Sequence, residues 1–344
     1  MNSPVFSALR TLARELRTVW MLVLVCVVLS FASPTFLTST NLLNVGLATA
    51  TVALLAIGQS YVIVLAEIDL SVGATLAFSA MATALVLRHH GLALGILVGL
   101  GTGAVVGLVN GLLVTRARMP SFIVTLATMS ILAGLTLQIS SGNPVAVTDY
   151  SFQGIGQDYL AGVPVPVWLM LVAYLVFGVL LARTGFGRFV YATGDNLEAA
   201  RLSGIRTQRI KVIAFVLAGV LAALGGFVLT ARLSTAEPTA GTGYELESIA
   251  AVIIGGTSLA GGRGKLLGTL IGALVLGVID NGMNLLDVSP FLQEPVKGVV
   301  ILLAVYFDRN IDSLRALTFW RNPGNPAVPT PSPSPSPSKT DPVG

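Results

Sequence analysis

The residues of this sequence that could do chemistry are few, and most can hydrogen-bond but not react. Its two histidines, His89 and His90, are adjacent, and its single cysteine, Cys26, lies within an apolar run. That leaves no Cys/His metal spacing, no disulfide within the chain and no nucleophile–base constellation, so no catalytic or metal-ligating residue is assigned. What remains is a scatter of carboxylates and neutral polar groups in or beside apolar runs: Glu67, Asp69 and Asp280 among the acids, and Gln59, Ser60, Asn110, Thr125, Thr128, Gln138 and Asn281 among the rest. Ionisable groups at membrane depth mark functional positions by default. Two other readings of Asp69 stand beside that one. With Ser71 and Gly73 following it, Asp69 can cap the next helix; or it and Glu67 reach an interface and pair with Arg116 or Arg118. The neutral polar groups suit either a polar path or hydrogen bonds from helix to helix.

The elements that carry these residues are membrane spans. Hydrophobic residues make up 54% of the 344 and charged residues only 10%, against about 25% charged in soluble domains. The mean hydropathy is +0.83. Such a chain can neither cover a soluble core nor remain disordered, and its basic residues fall in short clusters that do not suit nucleic acid. Taking about 20 helical residues per crossing, the apolar runs predict an all-α integral membrane protein of about ten transmembrane helices. They lie at Val19–Ser33, Val45–Leu65, Leu70–Leu87, Leu92–Val114, Phe122–Ser140, Pro166–Ala182, Ile210–Ala231, Leu246–Ala260, Leu266–Leu286 and Val296–Phe307. No A-x-A cleavage site follows the first run, so it is read as a retained helix. The first, eighth and tenth runs are short enough to be tilted or re-entrant.

With ten spans and a cytoplasmic amino terminus, 17 of the 20 basic residues fall on the cytoplasmic side and only Arg88, Arg232 and Lys297 outside. Positive charge follows that side in membrane proteins. Residues 1–18 then form a cytoplasmic segment, 19–307 the transmembrane domain and 308–344 a cytoplasmic tail. The tail is Pro- and Ser-rich, with proline at alternate positions, and is predicted to be disordered from 322. Gly268 and Gly272 form a G-x-x-x-G close-packing face. A repeat relating spans two to five with seven to ten would suit a transporter, yet no residue-level repeat stands out.

The longest cytoplasmic gap, 183–209, is unlike an idle loop. Asp195 or Asn196 can cap a short helix from about Leu197 to Leu202, with Glu198 in its first turn and Gly204 just past its end. Glu198 and Arg201 are three apart and can pair. A capped helix held between two spans can dock a partner, or simply lie at the interface.

Glu198-Ala199-Ala200-x-x-x-Gly204 resembles the first half of the cytoplasmic EAA loop of ABC importer permeases. The fuller stretch from Gly187 to Ile205, with Tyr191, Gly194, Asn196, Arg201 and Ser203, is similar to the ribose-type sugar permeases. Three further segments agree in the family's order: Ile68-Asp69-Leu70-Ser71-Val72-Gly73, Pro120 to Met129, and Ile249 to Gly264. Together they cover about residues 40–310. Ala66-Glu67 departs from the Gly pair usual there; it adds a carboxylate and leaves the local backbone geometry open.

The resemblance implies a type II-like ABC importer permease bundle in a bacterial inner membrane, with both termini cytoplasmic. It implies coupling to a separate ATPase through Asp195, Asn196, Glu198, Ala199, Ala200, Arg201 and Gly204. It also implies a periplasmic or lipid-anchored sugar-binding protein, a second permease copy or a paralogue, and no nucleic-acid partner. No G-x-x-x-x-G-K-[ST] loop occurs, so ATP, if used, must bind elsewhere; the resemblance implies that this chain binds no cofactor and that ATP and Mg sit in the partner ATPase. A sugar offers hydroxyls, so Gln59, Ser60, Asp69, Thr125, Thr128 and Asn281 are the expected path residues. The rival readings are an ion-coupled secondary transporter using Glu67, Asp69 or Asp280, a permease for branched-chain amino acids, and, least supported, an intramembrane enzyme.

Overall fold

The computed structural model describes residues 4–300 and 302. Its helices are α1 (Pro4–Ala32), α2 (Ser39–Val64), α3 (Val72–Thr115), α4 (Ser121–Ser140), α5 (Tyr150–Gln157), α6 (Val165–Arg183), α7 (Gly185–Asp195), α8 (Leu197–Leu202), α9 (Thr207–Leu233), α10 (Tyr244–Ile254) and α11 (Leu266–Leu285). Residues 290–300 form a further helix, α12. Four two-residue strands pair antiparallel: β1 (Val145–Ala146) with β4 (Thr235–Ala236), and β2 (Tyr159–Leu160) with β3 (Val163–Pro164). The Pro/Ser-rich tail and the end of the expected tenth span lie outside the described residues.

Among the described residues, six helices are long and apolar enough to cross a membrane: α2, α3, α4, α6, α9 and α11. The expectation of about ten differs from six for reasons that can be named. The 44-residue α3 holds two expected spans, because Gly91, at φ 77° and ψ 175°, breaks the helical path inside it. We call its halves α3a (72–90) and α3b (92–115). The expected eighth span, Leu246–Ala260, is wrong at its end: α10 stops at Ile254, where Gly255 and then Gly256, at φ 85°, turn the chain. At 11 residues, α10 is about 16 Å long, roughly half a hydrocarbon core. The first span appears as the short apolar stretch Thr18–Ala32 within α1.

Every residue of α2 from Thr49 to Val64 is buried. A helix apolar on all faces must be surrounded by other helices, and α2 is packed by α9, α11, α10 and α6. With lipid as apolar as leucine, association depends on close packing. Accordingly a Cβ on Gly107 of α3b would meet the Phe215 backbone of α9, and one on Gly58 of α2 would meet Ala218 of α9.

The packing exposes a repeat that no residue pattern had made visible. Gly95 and Gly99 of α3b pack on Leu87 and Thr83 of α3a, while Gly268 and Gly272 of α11 pack on Gly255 and Ala251 beside and within α10. Thr83 and Leu87 lie 168 positions before Ala251 and Gly255; the same shift carries Ser39, the first residue of α2, onto Thr207, the first of α9. It also carries Asp69-x-Ser71-x-Gly73 onto Glu237-x-Thr239-x-Gly241. Along the α2–α9 contact, Gly58 faces Ala218 and Leu55 faces Gly225, so the two helices run antiparallel. Helices α2 to α4 and α9 to α12 are thus two copies of one unit in opposite senses. Sequence hid this because the second copy shortens one helix to α10 and keeps only acid, hydroxyl and glycine at the shared positions.

Ala66 stands in the left-handed region at φ 58°, a backbone conformation that suits glycine. That backbone costs an L-residue with a Cβ about 1–2 kcal/mol. Ala66→Gly is therefore expected to raise the unfolding midpoint in detergent, with a gain of about 1 kcal/mol. Gly107→Leu is expected to lower it by about 1–3 kcal/mol through overpacking against α9.

Candidate functional site

Between α2 and α3 the chain does not turn at the helix end. Residues Leu65–Ser71 run as irregular backbone against α3b and α4, and Asp69 is only 2% exposed. Non-helical backbone among apolar helices persists only where its N–H and C=O groups find partners. The partners are the polar residues of the surrounding helices. Gln59 of α2 donates from Nε2 to the Asp69 carbonyl. Ser121 Oγ of α4 accepts from the Ile68 amide at 3.2 Å, and Thr125 Oγ1 donates to the Ile68 carbonyl at 3.3 Å.

Asp69 itself closes a local turn: its Oδ1 accepts from the Ser71 amide at 2.8 Å and from Ser71 Oγ at 2.6 Å. Asn110 of α3b donates to Ser71 Oγ at 2.9 Å, and Thr128 of α4 donates to Asn110 Oδ1 at 2.6 Å. The structure therefore brings Gln59, Asp69, Thr125 and Thr128 of the expected path residues into one cluster, and adds Ser71, Asn110 and Ser121 to it. Gln59 Oε1 is buried without a hydrogen-bond partner among the described residues. Ser71 immediately precedes α3, and the start of that helix carries no side-chain cap. Asp69 acts two residues earlier than a cap.

Two expected path residues lie elsewhere. Ser60 is bonded to Ala56 of its own helix and, at 2.9 Å, to Thr269 of α11. Asn281 of α11 exchanges two hydrogen bonds with Asn41 of α2, at 2.9 and 2.8 Å. Both tie α2 to α11. Glu67 pairs with Lys211 of α9, not with Arg116 or Arg118.

At the foot of the cluster three loops meet. The Gly262 amide donates to the Val64 carbonyl at 2.9 Å, and Tyr191 Oη donates to the Gly264 carbonyl at 2.7 Å. A Cβ on Gly194 would fall on the Val64 carbonyl, and one on Gly262 would meet Asp195. The Gly261–Gly264 turn is thus packed against the residues that lead into α8.

That short helix forms as its sequence dictates. Asn196 is the cap, its Oδ1 accepting from the Ala199 amide at 2.9 Å, while Asp195 ends α7. Gly204 follows at φ 81°, the left-handed residue that closes a helix at least cost. Ala200 is buried, and Leu202 is 82% exposed. Arg201 turns to Thr207 Oγ1 at 3.4 Å, away from the expected partner Glu198. Helix α7 has one local sequence signal, its cap Thr184, whose Oγ1 accepts from the Gly187 amide at 3.3 Å, and two glycines in its first turn obscure that signal.

The family model described as the branched-chain amino acid transport system permease component matches residues 41–305. The ribose import permease protein RbsC of Bacillus subtilis (strain 168) is 48% identical over 291 residues, covering 84% of this chain and 90% of that protein. Its counterpart in Escherichia coli (strain K12) is 46% identical, covering 84% and 91%. The L-arabinose transport system permease protein AraH of Escherichia coli (strain K12) is 40% identical, covering 80% and 84%. No solved structure matches the chain. With one family model spanning all of α3 to α11 and relatives this similar over most of their length, the chain belongs to the family of branched-chain amino acid transport system permease components.

Proposed function

We propose that this chain is the membrane subunit of an ATP-driven importer that carries a monosaccharide, a pentose such as ribose being the simplest fit. The observation that carries the reading is the 46–48% identity to ribose import permeases over nine-tenths of their length. In this reading ATP and Mg act in a separate ATPase subunit, a periplasmic or lipid-anchored binding protein delivers the sugar, and a second copy of the chain completes the pathway. The ten-span topology belongs to the same proposal: α1, α2, α3a, α3b, α4, α6, α9, the half-length α10, α11 and α12 make ten passes, with α7 and α8 on the cytoplasmic side.

Helix α8 is the proposed coupling element. Leu202 presents an exposed apolar side chain beside Glu198 and Arg201, a mixed surface suited to a protein groove. Its neighbours at Asp195 and Gly194 touch Gly262 and Val64, so displacement of α8 would be felt at the foot of the Asp69 segment. For the sugar path we propose Gln59, Asp69 and Thr128, which offer acceptors and hydroxyls to a neutral solute, while Ser60, Thr125 and Asn281 hold the helices around it. The ion-coupled carrier is disfavoured, since Glu67 is paired with Lys211 and Asp280 lies 3.3 Å from Lys297.

Vesicles holding this chain with its ATPase and binding protein are expected to take up sugar with ATP supplied and ion gradients collapsed. Uptake that ignores ATP and follows a gradient would sink the importer reading. Gly204→Val and Leu202→Asp are each expected to weaken ATPase association by about tenfold or more, about 1.4 kcal/mol, with membrane insertion retained. Unchanged co-purification of the ATPase would remove α8 from the coupling role.

A further inference from the structure

The two opposed copies of the repeat meet at their breaks. Gly73, at the start of α3, and Gly241, ahead of α10, are packed so closely that a Cβ on either would strike the other's carbonyl oxygen. Each break carries the same acid-x-hydroxyl-x-Gly pattern, with the acid bonded to the hydroxyl two residues on: Ser71 Oγ to Asp69, and Thr239 Oγ1 to Glu237 Oε1 at 3.4 Å.

A lysine from another helix holds the first break itself, and a second lysine holds the helix that directly follows the other break, on opposite sides of the glycine contact. On the side of the α7–α8 loop, Lys211 of α9 holds Glu67, two residues before Asp69; the two side chains are 15% and 14% exposed. On the other side, Lys297 of α12 holds Glu247 in the first turn of α10 at 2.5 Å, with exposures of 15% and 13%. Lys297 also lies 3.3 Å from Asp280 of α11 and from Glu294 of its own helix. Tyr244 stands in the same first turn of α10. Both pairs are formed together.

A path through the bundle must open one break at a time, or the membrane would leak. Opening a break moves its carboxylate, and a half-buried ion pair cannot stretch without exposing both charges to a poorer environment. It is therefore kept whole or released, which makes it a two-state element. The contact of Gly73 with Gly241 is backbone against backbone, with the Glu245 carboxylate beside Gly73, so movement of one break is passed directly to the other. We propose that Lys211 and Lys297 are positioning residues of the transport cycle: Lys211 latches the break on the α8 side, Lys297 latches the break on the far side, and each half-cycle releases one while the other holds. This rests on the importer reading for its cycle, though the latches themselves can be tested without transport.

The test uses the full complex in vesicles, in a Cys26→Ser background, with single cysteines at the half-buried positions Leu70 and Ala240. A membrane-impermeant maleimide is applied from either side. Lys211→Met is expected to speed labelling at Leu70→Cys several-fold from the α8 side alone. Lys297→Met is expected to do the same at Ala240→Cys from the far side alone. Both variants should hydrolyse ATP with less sugar delivered per ATP, and exchanging the charges as Glu67→Lys with Lys211→Glu should restore slow labelling at Leu70→Cys. Labelling that rises from both sides together, or stays unchanged while uptake falls, would overturn the latch assignment. If a methionine variant fails to reach the membrane, Glu67→Gln and Glu247→Gln give the same readout. An unsubstituted complex that takes up no sugar with ATP would remove the importer reading instead, leaving the sided labelling to be judged alone.

Discussion

The bundle depends on one constraint: backbone that leaves the helix among apolar neighbours must have every polar group answered. Residues 65–71 break the helical path, and a set of amides and hydroxyls on α2, α3b and α4 exists to answer them. An unanswered peptide group there would cost several kcal/mol, more than any single polar contact contributes. The break in turn anchors α4 through Ile68 and sets the starting point of α3. Changing one of these polar residues therefore alters the shape of the bundle as well as any path through it.

The same constraint explains why the polar residues were hard to interpret from sequence. Gln59, Ser60, Thr125, Thr128 and Asn281 are alike on a hydropathy plot, and composition cannot separate a group that faces a solute from one that faces a peptide bond. Their partners beyond their own helix separate them, and those lie 10 to 240 positions away. Helix α8 was legible almost to the residue because its signals are local: Asn196 caps, Gly204 terminates, and both act within one turn. The spans were legible wherever length and apolarity coincided, as in α4, α6 and α11. They were misjudged at α10, where an apolar run continues past the glycine turn that ends the helix.

The repeat was not legible for a different reason. Opposed copies are constrained only where they touch, and at those points small residues and backbone carry the contact. The G-x-x-x-G spacing of Gly268 and Gly272 announces a close-packing face, but neither it nor Gly95 and Gly99 reveals which helix it meets until the packing partners are known. Side chains facing outward differ freely between the copies. One copy even shortens a helix to half length without disturbing the shared contacts.

The bend at Gly91 bears on how the chain is made. It folds α3 into a tight pair whose halves meet through Gly95 and Gly99 only a few residues from the bend. These contacts are nearly the most local that two membrane helices can make, so the pair can assemble as soon as its second half leaves the ribosome. It would enter the bilayer as a ready-made hairpin, before α9 has been synthesised. The centre of the protein would then be built by late arrivals closing onto an early template, and damage at Gly91 would appear first as poor biogenesis, ahead of any change in transport.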